Sequence, residues 1–202
     1  GKVWGFYPEK NVKNELRYEP NDPYYLSGDQ WHLNNYGQNS GNSGIDINPQ
    51  RAWESYSGEG IRIGVIDDGV DYNNPDLSPN FVSSLSYDYC DDDSNVMPLD
   101  SDGDEEIDWH GTAVAGIVSA QGNNSVGISG VSYNSDLVGI RLIAETCSSA
   151  FSIDESEAYA LSHRLDEIDI YVNSWGPADT GNLLGEIGPL ALSALEEGVS
   201  EG

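Results

Sequence analysis

Basic residues are scarce in this chain. Eight Lys and Arg stand against 35 Asp and Glu in 202 residues, a formal net charge of −27. Phosphate contacts need Lys and Arg, so nucleic acid is excluded as a natural partner. Cationic substrates and divalent metals suit such a surface, although acidity alone also keeps a secreted protein soluble in salty surroundings. Cysteine is nearly absent: Cys90 and Cys147 are the two present, too few for a disulfide-rich scaffold. A mutual bridge, two buried thiols, or partners beyond this stretch of chain are all open. No apolar run approaches the ~18 residues of a membrane span, so no membrane association is expected. No charged and apolar leader precedes the first residues, so any signal or pro-segment is expected to be already gone or never present. What is there suffices for one domain with a sizeable core, since 38% of the residues are hydrophobic.

Residues 1–19 hold Lys2, Lys10, Lys13 and Arg17, half of all the basic residues, and read as an N-terminal extension. The domain proper is expected over 20–202. Residues 34–50, rich in Asn, Gly and Ser, read as a loop. A short helix is expected over 51–56 and a buried strand over 61–66. A second strand is expected over 83–89, followed by a long acidic loop over 91–109. The run from His110 predicts a helix to about Ala120, and 137–143 a strand. Ala158, Leu161, Leu165 and Ile168 share a helical face, with Asp154 or Ser156 as its cap. A strand over 168–173 and a helix around Leu190, Ala194 and Leu195 complete the pattern. Strands alternating with helices predict an α/β fold with a doubly wound, mainly parallel sheet and helices on both faces, incomplete in this chain. In such sheets the site lies at the carboxyl ends of the strands.

Two stretches carry chemistry. Ile63-Gly64-Val65-Ile66-Asp67-Asp68-Gly69 brings an aspartate out of a β-branched run. Asp108-Trp109-His110-Gly111-Thr112-Ala113-Val114-Ala115-Gly116 sets a histidine before a run of small, helix-ready residues. A carboxylate leaving a buried strand and an imidazole opening a helix can meet at one end of the sheet, where the acid orients a general base. His32 and His163 have no such partner motif.

These residues, together with Asn173-Ser174-Trp175-Gly176-Pro177, resemble the N-terminal part of the catalytic domain of subtilisin-like serine proteases, closest to the kexin/furin branch. The order and spacing of the three motifs match over roughly residues 20–202. The family's G-T-S-x-A-x-P nucleophile motif and its G-N oxyanion segment do not occur in the 202 residues. The resemblance implies a secreted, calcium-stabilised serine endopeptidase cleaving after Arg or Lys, with Asp67 and His110 as two members of a Ser-His-Asp triad. The serine would come from a Ser-bearing remainder of the domain, so this chain alone would be inactive. The alternative is a truncated or degenerate relative that binds calcium without catalysis.

The resemblance also implies site residues. Asp68 and Asp108 would line the cleft beside a basic substrate residue, Glu157 an outer subsite, and Ser174, Trp175, Gly176 and Pro177 the strand edge that pairs with an extended peptide. Asp179 would hold a calcium under the specificity pocket, though the family's D-D-G reads Asp179-Thr180-Gly181 here. A principal calcium site would take Asp22, Asp76, the side chain of Asn124 and the carbonyls of Gln121, Val126 and Ile128. Asp88 and Asp93 would form a weaker site. The alternating acids of 100–106 offer either another cation site or a solvated acidic loop.

Overall fold

The computed structural model describes residues 18–99, 108–144, 147, 152–176, 181 and 185–201. Pro177, Asp179 and the acidic segment 100–106 lie outside the described residues. Among the described residues, four strands form one parallel sheet in the order β2-β3-β1-β4. They are β1 (Arg62–Asp67), β2 (Tyr87–Asp88), β3 (Asp136–Arg141) and β4 (Ile170–Asn173). The helices are α1 (Pro23–Leu26), α2 (Gln50–Trp53), α3 (His110–Ser119), α4 (Ile153–Leu161) and α5 (Pro189–Glu201).

Strand alternation sorts the core into two layers. Val65 and Leu137 face one side and pack with Ala115 and Ala120 of the α3 region. Ile66, Val138 and Ile140 face the other side and pack with Ala160 and Leu161 of α4 and Ala191 and Ala194 of α5. The predicted parallel sheet with helices on both faces is the architecture found. β1 and β3 are buried on both faces, as the unbroken apolar runs require. A third cluster sets Trp53 of α2 against Tyr25 and Leu33, with Tyr18 stacked on Tyr133.

Several elements differ from expectation. The predicted strand over 83–89 shrinks to Tyr87–Asp88, because Leu85 and Ser86 donate back to Val82 and Ser83 and close turns. α2 begins at Gln50 and stops at Trp53. α4 is capped by neither Asp154 nor Ser156. Ser152 caps it in a reciprocal box with Glu155, and Asp154 instead accepts from Leu190 and Ala191 at the start of α5. The helix ends before Leu165 because the chain turns, with Arg164 in the left-handed region at φ 56°, yet Ile168 is still buried.

Cys90 and Cys147 form a disulfide that closes a loop of 57 residues. Both sulfurs lie against the carbonyl of Leu142, just past β3. A loop of this length makes the bridge worth about 4 kcal/mol by restricting the unfolded chain. Reduction is expected to lower the denaturant midpoint by a matching amount in urea titrations with and without dithiothreitol. An unchanged midpoint would mean the bridge contributes nothing.

Candidate active site

The carboxyl ends of the strands carry the polar residues: Asp67 ends β1, Asp88 β2, Arg141 β3 and Asn173 β4. Asp67 and Arg141 are register partners across β1 and β3. α3 rises from the same end. Its N-cap position is Trp109, whose side chain offers no acceptor. The acceptor comes from Asp68 instead, with Oδ2 taking the N–H of His110 at 3.1 Å and Oδ1 that of Gly111 at 2.7 Å. A helix N-terminus favours an anion both by its unsatisfied N–H groups and by its dipole.

Gly111 permits the approach. A Cβ there would stand 2.3 Å from the Gly69 carbonyl oxygen and 2.9 Å from Asp68 Oδ1. With α3 so close, His110 Nδ1–H donates to Asp67 Oδ1 at 2.7 Å. The same oxygen accepts the Asp68 N–H at 2.9 Å. The carboxylate is 1% exposed and the imidazole 55%, so the acid is fixed inside while the base faces outward. Nε2 of His110 has no hydrogen-bond partner among the described residues. An imidazole held at Nδ1 by a buried carboxylate and open at Nε2 is arranged to accept a proton from an approaching alcohol or water.

The electrostatics agree. The hydrogen bond from His110 to Asp67 raises the imidazole pKa, against the lowering effect of partial burial, and the charges of Asp67 and Asp68 add to the rise. Burial pushes the Asp68 carboxyl up, and the neighbouring Asp67 charge adds to it; the N–H of Gly111 and then that of His110 oppose this.

Asp108 is half-buried two residues before His110. Ser174 and Gly176 are exposed beyond the end of β4, and among the described residues nothing stands within 4 Å of a Cβ built on Gly176. Trp175 is half-buried, and its indole N–H donates to the Ile66 carbonyl at 2.8 Å, pinning this segment to β1 beside Asp67. Glu157 is half-buried, in a concavity of about 330 Å3 that also contains Leu142, Ala144 and Ile153. Burial raises its pKa, and the Asp154 charge adds to the rise.

At the opposite end of α3 the expected metal residues converge. Asp22, completely buried, accepts the N–H groups of Asn123 and Asn124. Asp76, 6% exposed, accepts Asn124 Nδ2 at 2.8 Å and the Ile128 N–H at 2.7 Å. Gln121 donates its N–H to the Asp76 carbonyl, and Val126 donates to Asn124 Oδ1. Burial raises the Asp76 pKa and the charge of Asp22 adds to it, partly offset by the donors.

The second expected pair is arranged differently. Asp88 gives Oδ2 to Arg141 and Oδ1 to the N–H groups of Cys90 and Asp91, so it already has a cation. Asp93 bridges to Asp88 through the main chain, and its carboxylate accepts the Asn95 N–H. Arg141 was missed in the sequence, where a lone Arg closing an apolar strand reads as a solvent-facing end. The acids at the end of the neighbouring β2 were the available signal.

The Subtilase family profile matches residues 58–200. The chain is 42% identical over 193 residues to human neuroendocrine convertase 2, covering 94% of this chain and 28% of that protein. It is 42% identical over 184 residues to a PC3-like endoprotease of Hydra vulgaris, covering 91% and 24%. The chain thus spans under a third of these relatives' length. Among solved structures, a serine protease of Aeromonas sobria superposes with a TM-score of 0.68 at 26% identity, covering 88% of this chain and 29% of that one. A protease of Pseudoalteromonas arctica gives 0.67 at 25% identity, covering 90% and 56%.

The raised imidazole pKa makes a testable sign. A group whose folded pKa lies above its unfolded value stabilises the fold fully below the unfolded value, here 6.5, and loses that contribution as pH rises through the folded one. D67N is expected to bring the His110 midpoint down and to flatten stability across this window. Proton NMR titration of the imidazole, alongside denaturant unfolding at several pH values, checks both. Identical midpoints in the two proteins would contradict the assigned hydrogen bond.

Proposed function

The chain belongs to the subtilase family, and on that premise we propose that it supplies the aspartate and histidine of a serine endopeptidase that cleaves after Arg or Lys. The observation that carries this reading is the 2.7 Å contact between buried Asp67 and outward-facing His110. Asp67 holds the imidazole with its proton on Nδ1. His110 Nε2 then takes the proton of a serine hydroxyl and later returns it to the leaving amine, while Asp67 stabilises the imidazolium. The serine belongs to a further segment, because the family's nucleophile motif is not among the 202 residues.

An extended substrate adds along Ser174, Trp175 and Gly176, and main-chain hydrogen bonds supply the affinity. Preference for a basic side chain rests on the acids around the cleft. Asp68 has both oxygens engaged by α3, so it acts through its field, and Asp108 and Glu157 provide further negative charge. Pro177 and Asp179, assigned to the specificity region by the resemblance alone, lie outside the described residues. The disulfide supports a secreted protein, since such bonds persist in oxidising compartments. Among the described residues, no helix is long and apolar enough to cross a membrane.

Calcium is proposed at the far end of α3. The residues fit a hard cation by donor chemistry: two buried carboxylates, Asp22 and Asp76, sit together with no ion pair to either among the described residues. Asn124 and the carbonyls of Gln121, Val126 and Ile128 complete the oxygen set. Bound there, calcium would neutralise the two acids and tie the segment before α1 to the loop after α3.

A fluorophosphonate probe tests the catalytic reading. The polypeptide carrying the Ser-bearing remainder should be labelled when it co-purifies with this chain, and D67N should slow peptide hydrolysis by roughly four orders of magnitude. Arg-ended peptides should be cut faster than Phe-ended ones. Absence of labelling would favour the non-catalytic calcium-binding relative, and equal rates would remove the basic preference.

Calcium is checked by chelation. EDTA is expected to lower stability by about 3 kcal/mol if the free ion exceeds its dissociation constant a hundredfold. D76N should show no EDTA effect on its melting temperature. A wild-type melting temperature indifferent to EDTA would remove the site.

A further inference from the structure

Arg141 closes β3 and is the largest side chain buried completely in the described structure. Its contacts join three strand ends. Nε–H donates to the main-chain oxygen of Asp68 at 3.1 Å, beyond β1. Nη1 donates to Asp88 Oδ2 at 2.7 Å, on β2, and to Asp91 Oδ2 at 2.9 Å. Nη2 is buried without a hydrogen-bond partner.

Stability alone gives a poor reason for this arrangement. Enclosing a cation costs several kcal/mol, and an apolar side chain of similar volume often serves the fold as well or better. The location gives a better one. The Asp67 carbonyl is already held by the Leu142 N–H at 2.9 Å. Arg141 holds the next carbonyl, that of Asp68. Residues 141 and 142 therefore anchor two consecutive peptide oxygens, and the carboxylates that project from this turn are the one on His110 and the one on the N-terminus of α3.

A guanidinium suits the task because its donors point in fixed directions from one plane. An ammonium on a flexible stem would keep the charge and lose the angle. The fork is itself braced from behind. Asp88 is 1% exposed and is held in turn by the N–H groups of Cys90 and Asp91, next to the disulfide.

We propose that Arg141 is a positioning residue for the Asp67–His110 pair: by fixing the Asp68 peptide between the acids of β2 and the turn after β1, it sets the geometry of the hydrogen bond between that carboxylate and the imidazole. The inference rests on the catalytic reading for its purpose, but its test does not involve proteolysis. The readout is the Nδ1 proton shared by His110 and Asp67, followed by proton NMR in the 202-residue chain at low temperature.

R141K is expected to raise solvent exchange of this proton roughly tenfold, the effect of losing one hydrogen bond to a charged group. It should also move the His110 midpoint down, although the positive charge is kept. D91N removes a half-exposed brace and is expected to act in the same direction, more weakly; it decides the question if R141K does not fold. L161A, a core truncation on the opposite face of the sheet, should lower stability without altering the proton. The proposal is overturned if R141K or D91N folds with wild-type exchange and midpoint, or if L161A changes both as much. Failure of the catalytic reading would show separately, as absent fluorophosphonate labelling.

Discussion

The site depends on one carboxylate that does no chemistry in the pair itself. Asp68 accepts the first two N–H groups of α3 and so joins the end of β1 to the start of the helix across 42 residues of sequence. No local residue could do this, since Trp109 at the cap position has no acceptor. The contact is electrostatically favourable twice over, because a buried acid gains hydrogen bonds and the helix dipole gains an anion, worth up to ~2 kcal/mol when partly buried. Its consequence is geometric. Once α3 starts at Asp68, the His110 ring falls on the neighbouring Asp67, and Gly111 is the residue type that lets the backbones approach.

Two adjacent acids serve two different ends because their surroundings differ. Successive side chains in a strand point to opposite faces, but Asp68 follows the last residue of β1, where the chain turns. Both carboxylates can therefore face α3. At Asp68 the repulsion between them is opposed by the N–H groups of the helix N-terminus and by the imidazole. The outward imidazole is the group in this set left free to exchange a proton with an incoming molecule.

Much of this was legible in the sequence. The β-branched run ending in Asp67, the His-Gly-Thr run opening into small residues, and the alternation of strands with helices announce a parallel sheet with its polar residues at the strand ends. What stayed hidden depends on contacts between distant segments. Nothing local says that Asp68 caps a helix or that Asp154 belongs to α5. The expected strand over 83–89 failed because Ser86 bonds its own turn. Arg141 was unreadable because an arginine is normally a surface residue, and its burial requires knowing that β2 lies beside β3. Cys90 and Cys147, equally free on paper to bond or not, are brought together by that same pairing.

The far end of α3 obeys the same electrostatics with the sign reversed. Its last carbonyls are all met: Ile117 by the Val131 N–H, Val118 by Ser132, Ser119 by Asn80 Nδ2 and Ala120 by Gly130. The loop that supplies most of these donors folds back around Asp22 and Asp76, which gather close to the negative pole of the helix. Anions are unfavourable there for the reason that makes Asp68 favourable at the other pole. Both acids are buried, burial and the Asp22 charge raise the cost of charging Asp76, and the donors from Asn124 and Ile128 offset only part of that cost. The proposed divalent cation would resolve the conflict, where protonation would discard the hydrogen bonds that shape the loop. The physical case for calcium is thus a consequence of where the helix points.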